Sequence, residues 1–322
     1  MIRLGVVGLG TIFSVQRRAL ERLDDRYQIT AVCDVLPEKL RDFETALDGL
    51  SEARKPKLYG DSTDLFADPN VDAVLIATPP ATHYALARDG LTHGKHILLE
   101  KPAVLEYAQL ESLYALAGDV NRLLHIAYHA SFAKDLEWFL RHADELALGE
   151  IATIECGFYD PYMENGRVIP GKRPLGGCFI DSGVNALSVC ARLTDLSGFR
   201  LSSAEELTEP DTDLVYHADH VFENDKCRVI IHTGWDLGLN QKTSMLSFSG
   251  TDRQLWLHHS DQSVYLLDGE RKERLFRYDA TERLLTHYLG VFRGFEEAYR
   301  LGETNKRSSE TIHRLLLEGL EG

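Results

Sequence analysis

The sequence is poor in cysteine, in long apolar runs and in positive charge. Its 322 residues include only 5 cysteines, with no C-x-x-C pair among them. We therefore expect reduced, mostly buried thiols rather than a disulfide framework. No run of about 18 apolar residues is present, and the first residues already show a strand-like pattern, so we expect neither a membrane span nor a signal peptide. These absences indicate a cytoplasmic protein.

The charge balance disfavours nucleic acid as a partner, and the histidine spacing disfavours a metal site. Lys and Arg number 35 against 50 Asp and Glu, a formal net charge of −15. Such a field repels phosphate backbones. Two histidine pairs have the spacing of metal ligands, His93 with His96 and His217 with His220. Each pair lacks a nearby third ligand, so we expect no metal site.

Short apolar runs alternate with helix-like segments through the first 127 residues. The strand-like runs are residues 2–8, 28–33, 72–77, 96–99 and 123–127. This alternation predicts a parallel, doubly wound α/β domain of the Rossmann type. After residue 128, strand-like runs follow one another without helices between them, which predicts a mostly antiparallel open sheet in an α+β domain. We place the Rossmann domain at residues 1–124 and the second domain at residues 125–322.

A glycine turn follows the first strand and opens the first helix. Gly8 permits a tight turn, and Gly10 lets the backbone approach a pyrophosphate. Thr11 and Ile12 then begin the helix, whose N-terminus favours anions. Asp34 ends the second strand, about 20 residues further on, where a carboxylate accepts hydrogen bonds from ribose hydroxyls and repels a 2′-phosphate. The pattern predicts a dinucleotide site that favours NAD, although an Arg elsewhere would still allow NADP.

Two further segments lie at the ends of later strands. Thr78 and Pro79 precede a helix that contains His83, and the residues Glu100, Lys101 and Pro102 end the next strand. Lys101 thus follows a central parallel strand, at the edge of the sheet where ligands bind. Pro102 keeps Lys101 out of helical geometry. With the glycine turn, these segments resemble the glucose–fructose oxidoreductase/inositol dehydrogenase family (Gfo/Idh/MocA) over the whole N-terminal domain.

The resemblance implies a nicotinamide cofactor and a sugar-like polyol substrate. It places Thr78, Pro79, His83 and Glu100 at the cofactor and Lys101 at both cofactor and substrate, and it often makes the Lys–Pro peptide bond cis. It also implies a C-terminal domain whose open sheet is used for oligomerisation, so we expect a homodimer or a homotetramer. A bound cofactor and apolar walls would partly desolvate the Lys101 ammonium and lower its pKa, which would help it exchange a proton with a hydroxyl.

A second segment of the chain matches the catalytic segment of that family. It runs from Gly176 to Asn185, with Asp181 and Asn185 four residues apart at the start of a helix, where their side chains can converge. The alternative is that Asp181 caps the helix and Asn185 is an ordinary helix residue. The family usually has His where this chain has Asn185, and an amide carries no proton at neutral pH. The base is then Asp181 or Lys101, the substrate hydroxyl loses its proton to a weaker base, or the protein is inactive.

An anomeric hydroxyl would need only a weaker base, because the ring oxygen makes it more acidic and stabilises positive character at C1. An Asp…Asn segment also resembles the aldose 1-dehydrogenase branch of the family, which includes galactose and arabinose dehydrogenases. Two weaker similarities to that branch are the turn containing His129 and the Trp235-Asp236 pair. His129 either binds a sugar hydroxyl or is structural. Trp235 either stacks on a sugar face or fills the sheet.

The sequence therefore predicts an NAD-dependent enzyme that oxidises a monosaccharide at C1 to a lactone. In this hypothesis Lys101 and Asp181 handle the hydroxyl proton, and Asn185 holds the hydroxyl by a hydrogen bond. Three alternatives remain open. They are a dehydrogenase of a secondary sugar or inositol hydroxyl, a glycosidase that uses the nicotinamide transiently, and a non-catalytic sensor that binds NAD.

Overall fold

A computed structural model describes residues 1–47, 55–279 and 282–321 of the chain. It divides into two compact units. The first contains Met1–Ala127 together with Tyr288–Glu310, and the second contains Tyr128–His287 together with the residues from Thr311 onward. Among the described residues, none of the helices is both long enough and apolar enough to cross a membrane.

The first unit is built on a parallel sheet. Its strands are β1 (Ile2–Val7), β2 (Tyr27–Cys33), β3 (Lys57–Tyr59), β4 (Ala73–Ile76), β5 (His96–Glu100) and β6 (Leu124–Ala127). Their order is β3-β2-β1-β4-β5-β6, with every described pairing parallel. Strand β4 is buried along its whole length, as expected for a sheet covered on both faces. The strand order reverses between β1 and β4, and ligands bind beyond the carboxyl ends of strands at such a point.

Five helices, counted over the described residues, connect these strands. They are α1 (Thr11–Glu21), α2 (Pro37–Thr45), α3 (Ser62–Ala67), α4 (Pro80–Thr92) and α5 (Tyr107–Asp119). The helix α8 (Arg283–Leu301) also contributes to this unit from Tyr288 onward. The hydroxyl of Tyr27 donates to the carbonyl oxygen of Phe292 at 2.6 Å, and Arg26 forms an ion pair with Glu296 at 2.6 Å. These contacts join the later part of α8 to the amino end of β2.

The second unit is built on a larger sheet. Its strands are β7 (Ile151–Tyr159), β10 (Arg200–Thr208), β11 (Val215–Glu223), β12 (Arg228–Gly234), β13 (Gln241–Phe248), β14 (Gln254–His258), β15 (Ser263–Asp268) and β16 (Arg271–Arg277), and β8 (Met163–Glu164) and β9 (Arg167–Val168) form a separate small ribbon. The large sheet has the order β10-β11-β12-β7-β13-β14-β15-β16. Within the large sheet, only the β12–β7 pair is parallel among the described pairings.

Helices cover this sheet along its length. Helix α6 (Lys134–Leu146) contacts β14, β15 and β16, and α7 (Val184–Leu193) contacts β7. The last helix is α9 (Lys306–Glu321). Buried and half-buried residues alternate along β13, which is the burial pattern of a strand with one face in a core.

These two architectures confirm the predicted fold class, an N-terminal Rossmann sheet followed by a mostly antiparallel sheet. The sequence did not predict the short strand β3 or the π-helical turn Phe179–Gly183 that precedes α7. All five cysteines are free and buried, as expected. The domain boundary between residues 124 and 125 stays a prediction.

Candidate active site

The glycine turn in the first unit fits a dinucleotide. Gly8 has a φ of +97°, and a Cβ there would lie 2.6 Å from the carbonyl oxygen of Ala77, so only glycine fits. A Cβ on Gly10 would meet no atom of the described chain within 4 Å. Thr11 and Ile12 form the first turn of α1, which has neither a side-chain cap nor an acidic residue. The helix N-terminus thus keeps its amide donors and positive potential for a pyrophosphate.

Asp34 lies directly after β2 and is held by the backbone on both sides. Its Oδ2 accepts a hydrogen bond from the Leu9 amide at 2.8 Å, and its Oδ1 accepts one from the Leu36 amide at 2.9 Å. Each carboxylate oxygen has a second lone pair. The side chain is therefore fixed beside the glycine turn with acceptor capacity left for ribose hydroxyls.

His83 ties the loop after β4 to the loop after β5. Its Nδ1 lies 2.8 Å from the carbonyl oxygen of Pro102, and its Nε2 lies 2.8 Å from that of Thr78. Burial lowers the pKa of His83. Pro79 precedes α4, which has no side-chain cap either. His83 is thus a positioning residue for both loops.

Glu100 anchors the segment that carries Lys101. Its Oε1 accepts hydrogen bonds from Gln16 at 2.6 Å and from the Tyr288 hydroxyl at 2.7 Å, and its Oε2 accepts one from the Lys101 amide at 3.1 Å. Burial raises the pKa of this carboxyl. The Lys101–Pro102 bond is cis, as the resemblance implies. Lys101 itself is half-buried at the carboxyl end of β5.

These contacts connect the loops after four strands of the first unit. The Gly8 amide donates to the carbonyl oxygen of Cys33 at 2.9 Å, immediately before Asp34. Gly8 also packs against Ala77 and Thr78, and His83 joins Thr78 to Pro102. The structure therefore brings the predicted cofactor residues to one edge of the parallel sheet. Gln16 and Tyr288 belong to this group, and the sequence analysis missed them.

Asp181 and Asn185 lie together in the second unit. Asp181 belongs to the π-helical turn Phe179–Gly183, and Asn185 follows in the first turn of α7. The Nδ2 of Asn185 donates to the carbonyl oxygen of Asp181 at 3.2 Å. Asn185 is only 8% exposed, and its buried Oδ1 has no hydrogen-bond partner among the described residues. An unused buried acceptor of this kind is suited to a substrate hydroxyl.

A group of polar residues that the sequence analysis missed lies at the end of β7. The ammonium of Lys242 lies 2.5 Å from Oδ1 of Asp160, and Ser182 donates to Oδ2 of Asp160 at 2.9 Å. Burial lowers the pKa of Lys242, and the Asp160 carboxylate opposes that shift. Burial raises the pKa of Tyr162, and the nearby carboxylates of Asp160 and Asp181 raise it further. Ser182 is the residue that follows Asp181, so the group borders the predicted site.

His129 and Trp235 occupy different surroundings. The His129 ring stacks on His287 with 5.8 Å between centroids. Trp235 is fully buried, and its ring centroid lies 5.6 Å from that of Tyr162. The indole nitrogen of Trp235 has no hydrogen-bond partner in the described part of the chain. Tyr162, and not Trp235, is therefore the partly exposed aromatic ring of this pair.

Across the described ranges, no group of three or more His, Cys, Asp or Glu side chains is arranged to hold a metal ion. Of the histidine pairs considered from sequence, His93 bonds the Asp89 carbonyl oxygen at 2.9 Å, and His220 bonds that of Gly319 at 2.9 Å.

Residues 2–128 match a protein-family model described as "Oxidoreductase family, NAD-binding Rossmann fold", GFO_IDH_MocA. The N-terminal part of the chain is therefore similar to the NAD-binding Rossmann domain of the Gfo/Idh/MocA family. The match covers the parallel sheet and all the loops that His83, Asp34 and Glu100 organise. The NAD-binding Rossmann fold named in the family description agrees with the predicted nicotinamide cofactor.

Curated relatives of the chain include inositol dehydrogenases. The chain is 27% identical over 184 residues to myo-inositol 2-dehydrogenase of Thermotoga maritima, covering 57% of this chain and 52% of that protein. It is 28% identical over 156 residues to inositol 2-dehydrogenase of Burkholderia multivorans, covering 48% of this chain and 45% of that protein. The chain thus spans about half the length of the curated relatives it matches.

Solved structures share the fold over nearly the whole chain. A 3-ketoreductase from Actinomadura kijaniata, solved with NADP, superposes with a TM-score of 0.80 at 21% identity, covering 98% of this chain and 95% of that one. UDP-N-acetylglucosamine 3-dehydrogenase from Acidithiobacillus ferrooxidans superposes with a TM-score of 0.77 at 20% identity, covering 99% of this chain and 96% of that one. At this level of identity the likeness concerns the fold.

Proposed function

We propose that this protein is an NAD-dependent dehydrogenase of the Gfo/Idh/MocA family that oxidises a free aldose at C1 and releases a lactone. The family supports the nicotinamide chemistry. Relatives named as inositol dehydrogenases support a polyhydroxylated ring as the substrate class. The choice of C1 rests on Asn185.

Asn185 is the observation that carries the proposal. The resemblance to the family implies a His at this position, and the amide that this chain has instead neither accepts nor releases a proton at neutral pH. Asn185 instead offers a buried Oδ1 with no partner among the described residues, which can accept a hydrogen bond from a hydroxyl. The anomeric hydroxyl suits such a site, because the ring oxygen increases its acidity and stabilises positive character at C1 during hydride loss. A weaker base then suffices.

The remaining groups are assigned by the chemistry that each can perform. The C1 hydroxyl loses its proton to Lys101 or Asp181, and the C1–H bond supplies the hydride, so that a C1=O bond forms. When bound, the nicotinamide cofactor accepts that hydride. Gly8, Gly10 and the first turn of α1 would hold its pyrophosphate, and Asp34 would hold its ribose. The acceptor-only carboxylate of Asp34 favours NAD over NADP.

A second candidate function is oxidation of a secondary ring hydroxyl. The names of the inositol 2-dehydrogenases favour it. It requires a stronger proton acceptor at the reacting carbon, because a secondary alcohol is less acidic than an anomeric hydroxyl. Lys101 or Asp181 would have to supply that acceptor, because the amide of Asn185 carries no proton at neutral pH.

The test is a set of substrates assayed by the absorbance of reduced nicotinamide. Purified protein is incubated with NAD or NADP and with free aldoses, their 1-O-methyl glycosides and inositols. Turnover of a free aldose, but not of its methyl glycoside, is the result that the proposal predicts. Equal turnover of both would place the hydride transfer at a ring carbon other than C1 and contradict the C1 assignment. NAD binding without turnover would favour the glycosidase, tested on an aryl glycoside, or the sensor.

We also propose that the protein forms a homodimer or homotetramer through the large sheet of its second unit. Half-buried aromatic side chains support this, since Trp256 and Tyr265 lie 5.6 Å apart on β14 and β15. Lys272 lies over the Trp256 ring at 3.9 Å. Aromatic residues on an open sheet are typical of subunit interfaces. Light scattering coupled to size-exclusion chromatography tests the assembly, and a monomer at micromolar concentration would contradict it.

A further inference from the structure

Arg283, the first residue of α8, has a guanidinium group that the protein hardly uses. Its one hydrogen bond within the described chain runs from Nη1 to Oγ of Ser260, at a long 3.4 Å. No carboxylate of the described residues lies within 4.0 Å of it. The residue is partly buried, and burial lowers its pKa. A guanidinium carries five N–H donors and stays charged, so most of its donors are available to a ligand.

His287 lies one helical turn after Arg283, on the same side of α8. It is only 2% exposed, and neither ring nitrogen has a hydrogen-bond partner in the described parts of the chain. Its ring stacks on His129 with 5.8 Å between centroids and 23° between planes. Burial, with the nearby His129 and Arg283, lowers the pKa of His287 well below its ordinary value. A buried neutral imidazole with an unused N–H is a second group that can donate a hydrogen bond to a ligand.

The other charged groups near this pair are already engaged. Lys134 contacts Glu137 at 2.6 Å, Lys242 contacts Asp160 at 2.5 Å, and His259 contacts Asp135 at 2.6 Å. The charges of Asp160 and Asp135 act on Arg283 from beyond hydrogen-bonding distance, so they leave its donors available. Arg283 thus contributes one positive charge with available donors beside a neutral imidazole. One such charge matches a singly charged carboxylate better than a doubly charged phosphate monoester.

We propose that Arg283 binds a carboxylate group of the substrate, with His287 as a second donor, so that the substrate is a sugar acid. The planar fork of a guanidinium pairs with the two oxygens of a carboxylate through two parallel hydrogen bonds. This inference rests on the proposed function, since it names the class of aldose that is oxidised. The class is that of the hexuronates, which carry a carboxylate and a free anomeric hydroxyl on the same ring.

The location of Arg283 within the second unit suits this role. Burial raises the pKa of Tyr162, and the charges of both Asp181 and Arg283 also affect it. The same two charges affect Lys242. Asp181 and Arg283 therefore border one polar region of the unit. In the ring form of a hexuronate the ring oxygen joins C1 to C5, the carbon that carries the carboxylate, so one small ring presents both groups. Oxidation removes a hydride and a proton at C1 and leaves the carboxylate unchanged.

The first test measures binding by isothermal titration calorimetry, with the full-length protein and saturating NADH, which cannot accept a hydride and so prevents turnover during the titration. The ligands are D-glucuronate, D-galacturonate, the neutral sugars D-glucose and D-galactose, and D-glucose 6-phosphate. We expect a hexuronate to bind at least about tenfold more tightly than its neutral counterpart, as a charge-assisted pair provides. Equal affinity for hexuronate and neutral sugar, or a preference for the phosphate ester, would overturn the proposal.

Variants then assign the effect to Arg283. Arg283→Gln should abolish the preference for hexuronate and leave the affinity for neutral sugars unchanged, and Arg283→Lys should retain only part of the preference because it lacks the fork. Arg293→Gln is the matched control, since Arg293 is exposed on the same helix and its loss changes the net charge equally. Retained preference in Arg283→Gln, with unfolding temperature unchanged, would refute the assignment.

The outcomes for the sugar-acid site and for the proposed function can be told apart. Binding of hexuronate that depends on Arg283, without any reduction of NAD, would support the carboxylate site and reject the dehydrogenase. Reduction of NAD by neutral aldoses, at the same kcat/KM as by hexuronates, would support the dehydrogenase and reject the carboxylate site.

Discussion

Replacing Asp34 with Asn removes the negative charge of the proposed ribose ligand and changes little else in its shape. The Asp34 carboxylate is held by the Leu9 amide at 2.8 Å and the Leu36 amide at 2.9 Å. A hydrogen bond to a charged acceptor contributes about 1.5–3 kcal/mol, against about 0.5–1.5 for a neutral one. Loss of the charge should therefore weaken NAD binding by about 1–2 kcal/mol. That corresponds to an affinity about five to thirty times lower.

The same substitution should improve NADP binding. Two unit charges 4 Å apart repel each other by about 1 kcal/mol in water and about 4 kcal/mol near a protein surface. Without the Asp34 carboxylate the 2′-phosphate no longer meets this repulsion. We expect the ratio of the dissociation constants of NADPH and NADH to fall by at least about thirtyfold in Asp34→Asn, since the two effects add to at least about 2 kcal/mol.

Fluorescence titration with NADH and NADPH at fixed ionic strength measures this ratio. Asp61→Asn is a matched control, because Asp61 also ends a strand of the same sheet and accepts a hydrogen bond from a backbone amide, that of Thr63 at 2.8 Å. It should leave the ratio unchanged. An unchanged ratio in Asp34→Asn, with both proteins folded, would refute the role given to Asp34.

Three further predictions concern buried polar groups. Glu100→Ala should lower the free energy of unfolding by about 2–4 kcal/mol in urea, because Gln16 and Tyr288 lose their buried acceptor; a loss below about 1 kcal/mol would contradict this. Burial lowers the pKa of His125 from 6.5 to about 4, so the stability it contributes above pH 6.5 falls as the pH drops toward 4, by about 3 kcal/mol at most. His125→Leu should flatten this acid dependence of urea unfolding, and an unaltered slope would refute the assignment. Asn185→Ala should lower kcat/KM by about tenfold through one lost hydrogen bond to the reacting hydroxyl, and unchanged steady-state kinetics would show that Asn185 does not touch the substrate.

The parallel sheet and its ligand edge were predictable because the signals are local. Each strand-like run is followed by a turn residue or a helix, and Gly8 has a positive φ that its place in the motif requires. Strand β3, at three residues, is too short to give a periodic signal. That Tyr288–Glu310 belongs to the first unit could not be predicted either. The pattern of an amphipathic helix shows which of its faces is buried, but not which part of the protein that face packs against.

Contacts that depend on strand register explain why part of the candidate site was missed. Asp160 and Lys242 are 82 residues apart in the chain and meet only because β13 pairs with β7. Arg283 and His287 have visible helical spacing, but their lack of partners becomes apparent only once every neighbouring carboxylate is placed. The sequence showed where the strands and helices that bear the candidate site residues begin and end. Which charged side chains pair with one another depends on tertiary contacts, so it could not be predicted from the sequence.

The most direct test of the proposed function follows the hydrogen on C1. The protein is incubated with NAD and an aldose or hexuronate carrying deuterium at C1, and the reduced nicotinamide is analysed by mass spectrometry. Oxidation at C1 predicts that the nicotinamide gains one deuterium and that the sugar product is a lactone. Reduced nicotinamide without deuterium would show that the hydride comes from another ring carbon, which would contradict the account.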